Sequence, residues 1–385
     1  MSQKTYDLIV IGAGSIGVPC ALSAARRKLR VLVLDPNHST GQGQNKAAIG
    51  GIRATHSDAA KIRVSLDSLS IFSRWQEENG DDIGWRKGGY TFPAYTEKHE
   101  KLMKDLLKVQ KKHGLNIDWL DAAAIKKLVP GISEDGLRGG TFAPDDGSAS
   151  PLLSNNAFYR KAVSLGAEFR FGESAVSLLI EDGKVRGVRT ARNTYSAPMV
   201  LNAAGANGKE ICAMARIDAP ISPDSHEAGI TEPAKPMFAP MVVDIRSEET
   251  SSNYYFYQNS EGQMVFCITP NPPAWGTDRR STSSFLPLAA RRMVNLLPSL
   301  AALKVRRTWR GLYPMTPDGS PIVDAFETPK GLFIAGGMCG QGFMLGPGMG
   351  ELVARMITGT PTGDDRQTLA GFSFKRSFSG MESFK

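Results

Sequence analysis

Apolar residues enter this chain in short unbroken runs separated by a stretch of helical composition. Asp7 is followed by Leu-Ile-Val-Ile, Val18 to Arg27 reads as helix, and Val31-Leu-Val-Leu34 ends at Asp35. Runs this brief, bounded by glycine, predict strands buried on both faces, and the succession predicts a strand-helix-strand unit. Ile62, Val64, Leu66, Leu69 and Phe72 predict a helix over 58–79. Leu102, Leu106 and Val109 mark the expected buried side of a charged helix within 96–112. Ser150-Pro151 suits an N-cap and first turn, opening a helix that runs to about Gly166. Val176, Leu178 and Ile180 then alternate, Asp182-Gly183 predicts a hairpin turn, 185–190 returns, and 199–205 forms another core strand.

Two intervening stretches, 90–149 and 217–305, are richer in aromatics, prolines and alternating patterns, as in Asn253-Tyr-Tyr-Phe-Tyr-Gln and Gln263-Met-Val-Phe-Cys-Ile. They predict a second, mainly antiparallel α+β domain inserted twice into a first α/β domain made of 1–89, 150–216 and 306–385. The polar tail after Gly359 is expected to be loosely held.

Length and a hydrophobic content of 41% support a large core. The net charge of +8 is spread among acids, so nucleic acid is not an expected partner. No run approaches a membrane span, and the apolar run near the start is too short for a signal. Cys20, Cys212, Cys267 and Cys339 lie far apart without metal-ligand spacing, which predicts a reduced, cytoplasmic protein. The histidines show no metal pattern either; His99 and His113 are expected at the surface.

Gly12, Gly14, Ser15, Ile16 and Gly17 lie between the first strand and the first helix. Glycines at this spacing permit a tight turn, close backbone approach to a pyrophosphate and close helix packing, while the helix N-terminus favours phosphate charge. Asp35, at the end of the second strand, can accept from ribose hydroxyls. The motif predicts a dinucleotide without saying which one.

Near the other end stand Arg307-Thr-Trp-Arg-Gly-Leu-Tyr-Pro-Met-Thr-Pro-Asp-Gly-Ser-Pro and Gly336-Gly-Met-Cys-Gly-Gln-Gly-Phe-Met-Leu-Gly-Pro-Gly-Met-Gly350. With the glycine turn, these resemble the D-amino-acid oxidase-like superfamily of FAD-dependent amine oxidoreductases. That resemblance implies a Rossmann-like FAD-binding domain and a substrate domain. It implies oxidation of an amino acid or secondary amine, such as sarcosine, dimethylglycine, proline or glycine, by hydride transfer to flavin N5, giving an imine. It also assigns residues. The loop carrying Asn45, Lys46, Ala47, Gly50 and Gly51 lies along the flavin ring; Val176, Ala204 and Gly205 contact FAD; Gly340, Gly342, Phe343 and Met344 begin the last helix beneath the pyrimidine.

Arg53 matches the arginine that binds substrate carboxylate in sarcosine-oxidase-like members, and a guanidinium can do so through paired hydrogen bonds. Tyr255 and Tyr257 fall where members offer hydroxyls to substrate, and His56 and His226 are further candidates, with surface placement the plainer reading for His56. Gly311 stands where monomeric sarcosine oxidases carry a linking cysteine, and Lys46 falls near the histidine of dimethylglycine dehydrogenases, so non-covalent FAD is expected. Met344 replaces a second cation, and Gly262–Cys267 lacks the lysine that assists oxygen. The departures favour a dehydrogenase that passes electrons to a partner protein or subunit. A peroxide-forming oxidase and a flavin-bearing assembly subunit with little activity are the alternatives.

Overall fold

The computed structural model describes residues 5–380 and 382. Its first sheet runs, edge to edge, Ile322–Ala325, Leu332–Gly336, Met199–Asn202, Leu8–Ile11, Val31–Asp35 and Glu168–Phe171. All neighbours are parallel except the first pair. Side chains alternate across the central strands. Leu8, Val10, Val31 and Val33 join the core under helices Gly17–Arg26, Ala59–Asn79, Pro151–Ser164 and Gly342–Ile357. Ile9, Ile11, Leu32 and Leu34 pack on the other face, against the three-stranded meander formed by Ala175–Glu181, Lys184–Thr190 and Thr194–Ser196. Burial on both faces explains why these strands read as continuous apolar runs.

Local chemistry sets the element ends where the sequence placed them. Asp58 and Ser150 accept hydrogen bonds from the N–H groups of Lys61 and Leu153, capping their helices. Asp182 and Gly183 both take positive φ, at 50° and 68°, as a two-residue turn between right-twisted strands requires.

The second sheet has eight strands: Val305–Met315, Ser222–Pro233, Gln263–Pro270, Ser251–Gln258, Met241–Asp244, Tyr90–Ala94, Gly139–Ala143 and Asp118–Asp121. The one parallel junction described joins Met241–Asp244 to Tyr90–Ala94. Val305–Met315 pairs along nearly its whole length with Ser222–Pro233, so this sheet reaches ten residues beyond 305. Tyr254, Phe256, Phe266 and Ile268 are buried on one face, beneath helix Phe285–Leu296. The opposite face looks towards the first sheet.

Three expectations are corrected. Helix Glu97–Lys112 buries Met103 and Gln110, leaving Val109 exposed, because a polar glutamine finds a buried partner in the His56 carbonyl. Along the meander Leu178 is buried, but Val176 and Ile180 stay 48% and 38% exposed at its open margins. The tail is anchored. Helix Gly363–Phe372 starts with a reciprocal Thr362–Asp365 capping box, Arg355 and Arg376 pair with Asp365 and Asp318, and Glu382 reaches a fully buried Lys61. Polar composition suggested looseness, yet these polar groups have buried partners waiting for them.

Candidate active site

The turn after Leu8–Ile11 assigns each glycine its own role. Gly12 has a φ of 112°, and a Cβ there would stand 2.4 Å from the Ala203 carbonyl oxygen. At Gly17 a Cβ would lie 1.8 Å from the Gly12 carbonyl oxygen, so this glycine lets the helix seat against the turn. At Gly14 it would meet no protein atom within 4 Å. The open space beside Gly14 belongs to a cavity of about 410 Å³ that runs from this turn to the inner face of the second sheet.

Asp35 sits on the cavity wall and is buried. Its Oδ2 accepts from Ala13 N at 2.7 Å, and its Oδ1 accepts from both nitrogens of Asn37 at 2.8 Å. A carboxylate offers about four acceptor sites. One therefore remains for a ribose hydroxyl. Ser174, Ala175, Ala204, Gly205 and Glu210 complete this end of the cavity.

At the other end, the loop after Gly41 is fastened to the second sheet by two of its backbone carbonyls and one side chain. Trp309 Nε1 donates to Ala47 O at 2.9 Å, Tyr257 Oη donates to Ile49 O, and Leu312 N donates to Gln44 Oε1 at 2.8 Å. A Cβ on Gly311 would stand 2.7 Å from that of Ala47, so the missing side chain lets loop and strand approach. Asn45 Nδ2 donates to Pro151 O, while its buried Oδ1 has no partner among the described residues. Gly342, Phe343 and Met344 open helix Gly342–Ile357 on the same wall, with no side-chain cap from Gln341. First-turn N–H groups have no intrahelical acceptor and carry partial positive charge, which suits an electron-rich heterocycle.

Cross-strand register gathers the remaining groups on one face. Tyr255 opposes Cys267, Cys267 also opposes Ala228, His226 opposes Gly311, and Asp224 opposes Tyr313. His226, Ala228, Tyr255, Cys267, Gly311 and Tyr313 line the cavity. The Tyr255 and Tyr313 hydroxyls are 2.7 Å apart, and burial holds both well above the ordinary tyrosine range. Burial likewise pushes the Cys267 thiol up to about 11. These groups are neutral at physiological pH. They present donors and an apolar surface.

The structure separates the other sequence candidates from this group. Arg53 is buried but lies outside the cavity lining: its Nη1 donates to the Thr55 carbonyl, stands 3.3 Å from His56 Nδ1, and its guanidinium lies 5.7 Å from the Phe92 ring centroid. His56 is fully buried, a correction of the surface reading, and burial beside Arg53 pulls its pKa well below the usual histidine value. Tyr257 braces the Ile49 carbonyl, Lys46 is exposed, and Val176 faces solvent while Ala175 beside it lines the cavity. Tyr90, Tyr313 and Cys267 were not singled out from sequence. Only the i, i+2 alternation of Trp309, Gly311 and Tyr313 signals that Tyr313 shares a face with Gly311.

The described residues hold no cluster of three or more metal-ligating side chains and no helix long and apolar enough to cross a membrane. The cysteines are free thiols.

The family model DAO, described as FAD dependent oxidoreductase, matches residues 7–356. Glycine oxidase of Geobacillus kaustophilus is 25% identical over 379 residues, covering 96% of this chain and 97% of its own. Sarcosine oxidase subunit beta of Rhodobacter capsulatus is 22% identical, covering 92% of this chain and 85% of its own. The crystal structure of L-proline dehydrogenase from P. horikoshii superposes with a TM-score of 0.91 at 29% identity, covering 97% of this chain and 98% of that one.

Proposed function

Because the chain belongs to the FAD dependent oxidoreductase family and is therefore an FAD-dependent enzyme acting on amino acids or amines, we propose that it dehydrogenates a small amino acid or secondary amine of the sarcosine, dimethylglycine, proline or glycine kind. The product is an imine. One observation carries the reading: the wall facing the opening turn of Gly342–Ile357 is built of Tyr90, Tyr255, Tyr313, Cys267 and His226, with no lysine or arginine among the described lining residues. Hydride removal from carbon beside nitrogen needs a close, dry and oriented approach more than it needs strong acids or bases.

The cavity fits FAD at both ends. Gly12, Gly14 and the N-terminus of Gly17–Arg26 would receive the pyrophosphate, Asp35 the ribose, Ala204 and Gly205 the adenosine end, and the Asn45–Gly51 loop with Gly342–Met344 the ring system. Bound there, FAD supplies the hydride acceptor. The chain's own groups exclude water, offer tyrosine hydroxyls to a carboxylate, and place partial positive charge near the pyrimidine edge. Gly311 leaves no thiol for covalent attachment, in keeping with non-covalent FAD. The twice-inserted substrate domain is the unit carrying the tyrosine wall, with Val305–Met315 as its last strand.

We favour electron transfer to a protein or partner subunit over oxygen, since no lysine among the described residues lines the cavity to attract developing superoxide. Anaerobic mixing of the purified holoprotein with sarcosine, dimethylglycine, L-proline and glycine should bleach the flavin absorbance with at least one of them. Slow recolouring in air is then expected. Rapid recolouring would make the enzyme an oxidase, and absence of bleaching by any amine would overturn the substrate class.

A further inference from the structure

We propose that His226 is the base that takes the proton from the substrate's ammonium group, with Asp224 as its positioning partner; this rests on the amine-oxidising reading of the same cavity. An amine must lose that proton before its carbon can release a hydride, because the nitrogen lone pair stabilises the positive charge that develops. Amino acids carry the proton at neutral pH.

His226 is 5% exposed and lines the cavity. Its Nε2 stands 2.9 Å from Asp224 Oδ2, and its ring stacks on Tyr313 with centroids 3.7 Å apart and planes 16° from parallel. The two contacts fix both tautomer and plane: Nε2–H donates to the carboxylate, and Nδ1 keeps its lone pair. Nδ1 is buried and has no partner among the described residues, and neither has Asp224 Oδ1. A neutral imidazole beside a buried carboxylate leaves one net negative charge away from water. A proton arriving on Nδ1 is balanced by the Asp224 carboxylate, 2.9 Å from Nε2.

The other titratable groups facing His226 do not compete. Tyr313, from Val305–Met315, and Tyr255, from Ser251–Gln258, are held protonated by burial, as is the Cys267 thiol from the strand between Tyr255 and Ala228. Arg53 lies outside this wall. In the step itself, the N–H bond of the ammonium breaks, its electron pair stays on nitrogen, and the proton bonds to Nδ1 while Asp224 balances the imidazolium.

The test is anaerobic flavin reduction from pH 6 to pH 10, using whichever of the four amines bleaches the wild type, for wild type, His226→Asn and Asp224→Asn. A spectral titration accompanies it, with 2-aminoisobutyrate, which has no α-hydrogen and so binds without being oxidised. A base of this kind contributes about 100- to 10,000-fold. His226→Asn should lose a factor in that range at pH 7 and regain most of it at high pH, where the amine arrives already deprotonated. FAD content and 2-aminoisobutyrate affinity at high pH should be preserved. Asp224→Asn should lose less and move the acid limb of the profile. A loss equal at every pH would make His226 a binding or structural residue and overturn the proposal, as would no loss. If His226→Asn fails to retain FAD, an unmoved acid limb in Asp224→Asn overturns it. A wild type that no amine bleaches removes the amine reading itself, and the proposal with it.

Discussion

Gly14 and Gly17 lie three residues apart in one motif and are required for different reasons. A methyl at Gly17 has nowhere to go, since the Gly12 carbonyl oxygen would be 1.8 Å away, whereas a methyl at Gly14 projects into the empty cradle. Gly17→Ala should therefore fail to accumulate as folded protein. Gly14→Ala should fold with a native circular dichroism spectrum and purify without yellow colour. Equal FAD content in Gly14→Ala and wild type would show that the pyrophosphate does not pass there. Sequence spacing identifies all these glycines as a set, but only the third dimension tells which atom each one avoids. Arg53 and His56 teach the reverse: their spacing after Gly51 was visible, yet the guanidinium lies against Thr55 O and Phe92 and is not among the residues lining the cavity.

At the level of elements, hydrophobic period and capping chemistry were enough to predict the first strands, helix Ala59–Asn79 and helix Pro151–Ser164, because each end is set by residues adjacent in sequence. The carboxyl-terminal segment was opaque for the opposite reason. One of its anchors lies hundreds of residues away: Glu382 accepts from Ser57 N at 2.8 Å and lies 3.2 Å from Lys61 Nζ. Against burial, which acts to raise it, Lys61 and the Ser57 hydrogen bonds hold Glu382 down to about 2, from an ordinary 4.5. A carboxylate depressed in the folded state stabilises fully above 4.5, and that contribution is lost as pH falls towards 2. The difference corresponds to about 3 kcal/mol. Glu382→Gln should lower stability in urea at pH 7 by roughly this amount and flatten its decline between pH 5 and pH 3. An unchanged slope would show that the tail carries no such charge.

Over the whole molecule, the cavity is assembled from chain segments at both ends and the middle, brought to one place by the parallel sheet and the eight-stranded sheet facing it. A ligand that touches all of them should stabilise the fold as a unit. Adding FAD to the apoprotein at about 100 times its dissociation constant should contribute about 2.7 kcal/mol and raise the melting temperature by roughly 3 °C. A melting curve indifferent to FAD would contradict a site built this way. The sequence alone determined the dinucleotide turn, the strand-helix-strand unit and, through the paired terminal motifs, the flavin. Those features depend on local spacing and on periods of two and about 3.6 residues. Tertiary structure decided which face of each strand meets the cavity, and so united His226, Tyr255, Cys267 and Tyr313 on its wall while leaving Arg53 outside its lining. Cross-strand register links residues through backbone hydrogen bonds between distant segments, and no local pattern encodes that choice.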